Sequence, residues 1–224
     1  MINLYFGKAG SGKTTLLAKT AIENVKRIDR YKKTIEYLDS KISNKKLFNI
    51  IKMFVIKPRY DYVVSNVRIK GCVYSDFLDI GIYEYNRCLM LFDEITLDAD
   101  SRDFKKFHVG LKEAIVMHRH YRNDIYVYTQ MYDRMDKTIR DNVNNAYYIS
   151  KFFGVFTKIV LIPNGIIIPE ETGEIVQGYR KPIFIEKIIN TRFILRPLYY
   201  RYFDSYYIRE KRIEYPYEEK LVEV

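Results

Sequence analysis

Tryptophan is absent from this chain of 224 residues, cysteine occurs twice and proline six times. Cys72 and Cys88 stand too far apart for a zinc ribbon or a CxxC redox pair, and so small a cysteine content suits a reducing cytoplasm. Long apolar runs are also missing. Residues 159–168 are interrupted by Pro163, Asn164 and Gly165, and residues 183–198 by Lys187, Asn190 and Arg192. Neither stretch reaches the roughly 18 clean apolar residues of a membrane-spanning helix. A structured strand is expected from Ile2 onward, with no basic-then-apolar leader ahead of it. Acid is scarce relative to base: 28 Asp and Glu face 38 Lys and Arg, for a net charge of +10. That balance favours a polyanionic partner, either nucleic acid or an anionic membrane surface.

The rest of the composition is that of a folded chain. Apolar residues make up 48% and charged residues 29%, which argues against long disorder. The length suits one main domain with an appendage. The basic excess is uneven, with Lys19, Lys26, Arg27, Arg30, Lys32, Lys33, Lys41, Lys45, Lys46, Lys52, Lys57 and Arg59 crowding one region. A polyanion would dock there, unless the lysines merely solvate a helical face. Tyrosine is plentiful at 22 residues, and it either supplies core bulk or stacks on the bases of a single strand.

Periodicity places a short buried strand at residues 2–6, a loop of small residues at 7–12 and a helix from Lys13, with Leu16, Leu17, Ala21 and Val25 on one face. A β-branched strand follows at 61–67, with a turn at Gly71. The wholly apolar residues 89–92 end in Asp93 and Glu94, as a central parallel strand delivers acids to the carboxyl edge of a sheet. A helix is expected over 104–121, a strand over 124–129 ending at Gln130, a helix over 135–143 and a strand over 146–149. This alternation predicts an α/β fold, a mainly parallel sheet flanked by helices, over residues 1–152. Residues 153–224 read as a β-hairpin-rich extension, with strands 155–162 and 166–169 about a Pro163-Asn164-Gly165 turn and a second turn at 171–173.

The motif that carries chemistry is Gly7-Lys8-Ala9-Gly10-Ser11-Gly12-Lys13-Thr14, the G-x-x-x-x-G-K-[ST] P-loop (Walker A) pattern between a strand and a helix. Glycines let successive backbone N–H groups converge on a phosphate, and the helix points its positive end at the same oxygens. Lys13 adds an ammonium for the β- and γ-phosphates; Thr14, with Thr15 beside it, offers a hydroxyl to Mg²⁺. Asp93 fits the Walker B acid that helps hold the metal, Glu94 the group that polarises an attacking water, and Gln130 a sensor between water and γ-phosphate. ATP and Mg²⁺ are thus the expected cofactors, and hydrolysis the expected reaction.

With these motifs, the segment His118-Arg119-His120 through Asp124-Ile125 to Thr129-Gln130, and Asp136-Lys137-Thr138-Ile139-Arg140, the chain resembles the zonular occludens toxin family. Its members are assembly ATPases of filamentous phages, similar to FtsK/HerA-like pumping ATPases. The resemblance covers roughly residues 1–150 and includes Val64-Ser65-Asn66-Val67. It implies an ATPase that drives single-stranded DNA translocation or virion morphogenesis in a homo-oligomeric ring. It also implies membrane-embedded partners, and a cytoplasmic location peripheral to a bacterial inner membrane. Arg140 and Arg119 become candidates for an arginine acting on a neighbouring subunit's site. Two departures stand out: no span follows the ATPase region, and Ile95-Thr96-Leu97 replaces the family's aromatic and acidic residues after Asp93-Glu94. Competing readings are a small-molecule kinase, which wants an Arg-rich lid not seen here, and a nucleotide-binding structural subunit. His118 and His120 diverge on a helix and are no metal pair.

Overall fold

A computed structural model of the chain describes residues 1–95, 109–130, 135, 137–167, 176–179 and 189–203. Among these, eight strands form one sheet in the order β10-β7-β6-β1-β5-β4-β2-β3. They are β1 (Ile2–Phe6), β2 (Tyr62–Ser65), β3 (Val73–Tyr74), β4 (Cys88–Phe92), β5 (Asp124–Thr129), β6 (Asn145–Phe152), β7 (Phe156–Ile162) and β10 (Thr191–Leu195). The six from β6 to β3 run parallel, whereas β7 and β10 are antiparallel additions at one edge. Two further strands, β8 (Asn164–Ile167) and β9 (Val176–Tyr179), pair only with each other.

Strand alternation builds two cores. Met90 and Phe92 of β4 join Ile2, Leu4, Ile125 and Val127 on one face, covered by Leu111 and Ile115 of α3 (Val109–Met117) and Ile139 of α4 (Lys137–Asp141). Leu89 and Leu91 point the opposite way, toward Leu16, Leu17, Ala21 and Ile22 of α1 (Lys13–Lys41). The expected sheet with helices on both faces is therefore present, and β4 is buried at all five positions as a central parallel strand must be. Tyrosine serves the core here: Tyr5 stacks on Tyr128 and Tyr147 at centroid separations of 4.8 and 4.7 Å.

The strand after β6 differs from the expected pairing. Residues 156–162 do not fold back on 166–169 about Pro163-Asn164-Gly165; they return along β6, from Phe152↔Phe156 to Ala146↔Ile162, and extend the main sheet. The turn sits at Phe153 and Gly154, both left-handed at φ 42° and 73°, and Asn164–Ile167 pairs with Val176–Tyr179. α1 also runs to Lys41, far past its last expected core residue, and α2 (Lys45–Phe54) follows as an unexpected helix. The expected turn at 171–173 and residues 104–108 of the expected 104–121 helix lie outside the described residues.

Candidate functional site

The parallel register sets the site. β1 and β5 end together, Phe6 beside Thr129, and β4 ends two residues earlier, Phe92 beside Val127. β5 lies between β1 and β4, so Gln130 leaves the sheet between the 7–12 loop and the Asp93-Glu94 turn. Three motifs distant in sequence meet at one carboxyl edge, the position where α/β sheets bind ligands.

Packing explains the glycines at the ends of the loop. A Cβ on Gly7 would lie 2.1 Å from the Ile149 carbonyl oxygen, and one on Gly12, at φ 99°, would lie 2.0 Å from Thr157 Oγ1. Lys13 is buried and donates from Nζ to the carbonyls of Gly7 at 3.0 Å and Lys8 at 3.2 Å. Burial holds its pKa below the ordinary lysine value, while the Glu94 and Asp93 carboxylates pull the other way. The Thr14 hydroxyl donates to Asp93 Oδ2. Burial raises the Asp93 carboxyl above its usual range; the Thr14 hydrogen bond opposes that shift and Glu94 adds to it. Glu94 occupies a left-handed backbone at φ 48°, uncommon for a residue with a side chain. Its Oε2 accepts from Gln130 Nε2 at 3.1 Å. Ser11 is buried, and its Oγ has no hydrogen-bond partner among the described residues.

Three residues of the site escaped the sequence reading as individuals. Asn66, at the end of β2, is buried; it donates to the Asp93 carbonyl at 2.9 Å and accepts the Asp93 N–H at 2.8 Å, clamping the acidic turn. Thr157 of β7 donates to the Ser11 carbonyl at 3.2 Å. Arg196 donates to the Gly10 carbonyl at 2.8 Å, so the far edge of the sheet braces the outside of the loop. Asn66 had a signal, as a polar residue ending a strand adjacent to β4. Thr157 and Arg196 had none, because only the β6-β7-β10 pairing brings them near.

The two arginines lie elsewhere. Arg119 is in the exposed turn before β5 begins, and Arg140 is in the last turn of α4, shortly before Asn144, whose N–H bonds to the carbonyl of Ile2. Both are at the amino edge of the sheet, roughly 20 Å from Gln130 by the rise of a six-residue strand. His118 is buried, with Nδ1 2.7 Å from the Ile115 carbonyl, and His120 is exposed. Asp136, Thr96 and Leu97 lie outside the described residues.

The family model of zonular occludens toxin (Zot) matches residues 1–182. The chain belongs to the zonular occludens toxin family. No curated protein matches the sequence. Among solved structures, the Zot-family chain is similar to the N-terminal domain of zonular occludens toxin from Neisseria meningitidis, at 16% identity and TM-score 0.47. That match covers 91% of this chain and 98% of the other. The genome packaging NTPase B204 from Sulfolobus turreted icosahedral virus 2, in complex with ATP-gammaS, matches at 12% identity and TM-score 0.41, covering 82% and 98%. EccC (ATPases 2 and 3) from Thermomonospora curvata matches at 10% identity and TM-score 0.36, covering 81% and 37%. Within the described residues of this Zot-family chain, no helix is long and apolar enough to cross a membrane.

Proposed function

We propose that the chain is an ATP hydrolase that works in a homo-oligomer to move single-stranded DNA or to assemble a virion. The observation that carries the hydrolytic reading is the convergence of Lys13, Thr14, Asp93, Glu94 and Gln130 at one sheet edge. Backbone N–H groups of residues 7–14 bind the phosphates, and the Lys13 ammonium turns from loop carbonyls to phosphate oxygens. The Thr14 hydroxyl and the Asp93 carboxylate are hard oxygen donors already in contact, a set that fits Mg²⁺, which keeps most of its waters. When bound, the metal neutralises charge on the β- and γ-phosphate oxygens. Glu94 accepts a proton from water as its oxygen bonds to the γ-phosphorus; the bond to the β-phosphate oxygen breaks, leaving ADP and inorganic phosphate. Gln130, bonded to Glu94, orients that carboxylate and responds when the γ-phosphate leaves.

Membership in the zonular occludens toxin family and the net charge of +10 support a DNA-linked role. Residues 1–152 are proposed to carry the ATPase core and 153–224 an extension that braces it, with membrane-embedded partners at a bacterial inner membrane. The test is phosphate release by wild type, Lys13→Ala and Glu94→Gln, with and without single-stranded DNA. DNA is expected to raise wild-type turnover, Lys13→Ala to lose nucleotide binding, and Glu94→Gln to bind ATP without turning it over. Unchanged turnover in Lys13→Ala would end the hydrolytic reading; turnover indifferent to DNA would end only its coupling.

A further inference from the structure

α1 is 29 residues long, yet its last buried side chain is Ile28. It starts at the phosphate loop and at 1.5 Å per residue spans roughly 43 Å, more than twice the length of the strands it packs on. Its second half therefore projects past the amino edge of the sheet and carries α2 at its end. α2 is locally specified: Asn44 caps it, Oδ1 accepting from the N–H groups of Lys46 at 3.0 Å and Leu47 at 3.3 Å.

None of the α2 side chains is buried. Phe48 and Ile51 are half-covered, but Leu47, Ile50 and Phe54, at i, i+3 and i+7, form an open stripe. Met53 is 85% exposed, Phe54 82% and Ile56, just beyond the helix, 91%. Lys45, Asn49 and Lys52 make the opposite stripe, with Lys46 between the two. From residue 40 to residue 60 the chain carries Lys41, Lys45, Lys46, Lys52, Lys57 and Arg59 and no acid at all.

We propose that α2 is an amphipathic anchor that lies in the headgroup layer of an anionic lipid bilayer. Leu47, Ile50 and Phe54 enter the acyl boundary, and Lys45, Lys46 and Lys52 meet the lipid phosphates. Only such a surface takes both halves of the helix. A nucleic-acid backbone would satisfy the lysines and leave Met53, Phe54 and Ile56 in water. The segment from 40 to 59 also has no tyrosine in a chain holding 22; its aromatic rings are Phe48, which is half-covered, and Phe54. Two copies packed through this face would bury the apolar stripe but leave Lys45 and Lys52, on the opposite stripe, without an anionic partner. The anchor acts at the far end of α1 from the phosphate loop and is independent of nucleotide hydrolysis.

Because the chain has no tryptophan, Phe54→Trp gives a single clean reporter. Its emission is expected to shift to the blue with vesicles of phosphatidylcholine mixed with an equal part of phosphatidylglycerol, and not with phosphatidylcholine alone. In co-sedimentation, Leu47→Glu with Ile50→Glu, and separately Lys45→Glu with Lys46→Glu and Lys52→Glu, are each expected to weaken binding by about tenfold or more. All five side chains are exposed, so melting temperature and basal phosphate release should stay at wild-type values. Absence of the blue shift, or equal binding to neutral vesicles, overturns the proposal. So does a result in which these substitutions abolish binding of a single-stranded oligonucleotide, or self-association, while vesicle binding persists.

Discussion

Asp93 carries a cost to the fold that the proposed nucleotide site would explain. Its carboxyl titrates above the ordinary range because burial disfavours the anion. The unfolded chain therefore releases this proton first as pH rises, and the folded state loses stability across the window between the unfolded and folded values. Above the folded value the penalty is fully present. Asp93→Asn is thus expected to raise the melting temperature of the nucleotide-free protein by about 2–4 °C, the shift per kcal/mol for a chain of this size. The same variant should lose the thermal shift given by ATP with Mg²⁺. A lower melting temperature in scanning calorimetry would show that the carboxylate serves the fold instead. Lys13 behaves alike with opposite charge, since burial disfavours its ammonium. Asn66 is the contrasting case, a buried amide bonded twice to the Asp93 backbone. Asn66→Ala leaves two part-buried backbone groups of Asp93 without these bonds and should cost about 1–3 kcal/mol in denaturant melts, with turnover falling further than the fraction unfolded explains.

At the scale of elements, the antiparallel edge is the least legible part and the one that touches the phosphate loop from outside. β7 supplies Thr157, and the residue after β10 supplies Arg196. Arg196→Ala removes bonds to the Gly10 and Gly154 carbonyls at the surface. It should raise KM for ATP several-fold while melting temperature moves by no more than about 2 °C, because surface contacts are weak but the loop they hold must be preorganised. An unchanged KM would limit the edge to a structural role. The loop, the start of α1 and the Asp93-Glu94 turn could be read in advance because each lies within about a dozen consecutive residues and has a residue-type signature. The β6-β7 turn could not: Phe153 at φ 42° occupies a position where Asn, Asp or Gly is expected, while Pro163-Asn164-Gly165 displays turn chemistry without closing that hairpin. α2 was hidden for a related reason, since its apolar stripe has no core to match.

At the scale of the molecule, the phosphate loop and Arg119 occupy opposite edges of one sheet, too far apart to serve one nucleotide within a chain. A head-to-tail ring turns that separation into complementarity, because a heterologous interface sets unlike faces of neighbouring subunits against each other. Arg140 is half-buried and engaged within its own chain, whereas Arg119 is exposed at a turn, so Arg119 is the better cation to reach a neighbour's γ-phosphate. Lys13→Ala keeps this arginine and lacks a working loop; Arg119→Ala has the reverse defect. Each alone should be inactive. Mixed in equal amounts and allowed to exchange subunits, they should recover about a quarter of wild-type phosphate release, since that share of random interfaces joins an intact loop to an intact arginine. A mixture as inactive as its components, with oligomers still formed in light scattering, would remove Arg119 from the reaction and leave the loop, Asp93 and Glu94 to act without it.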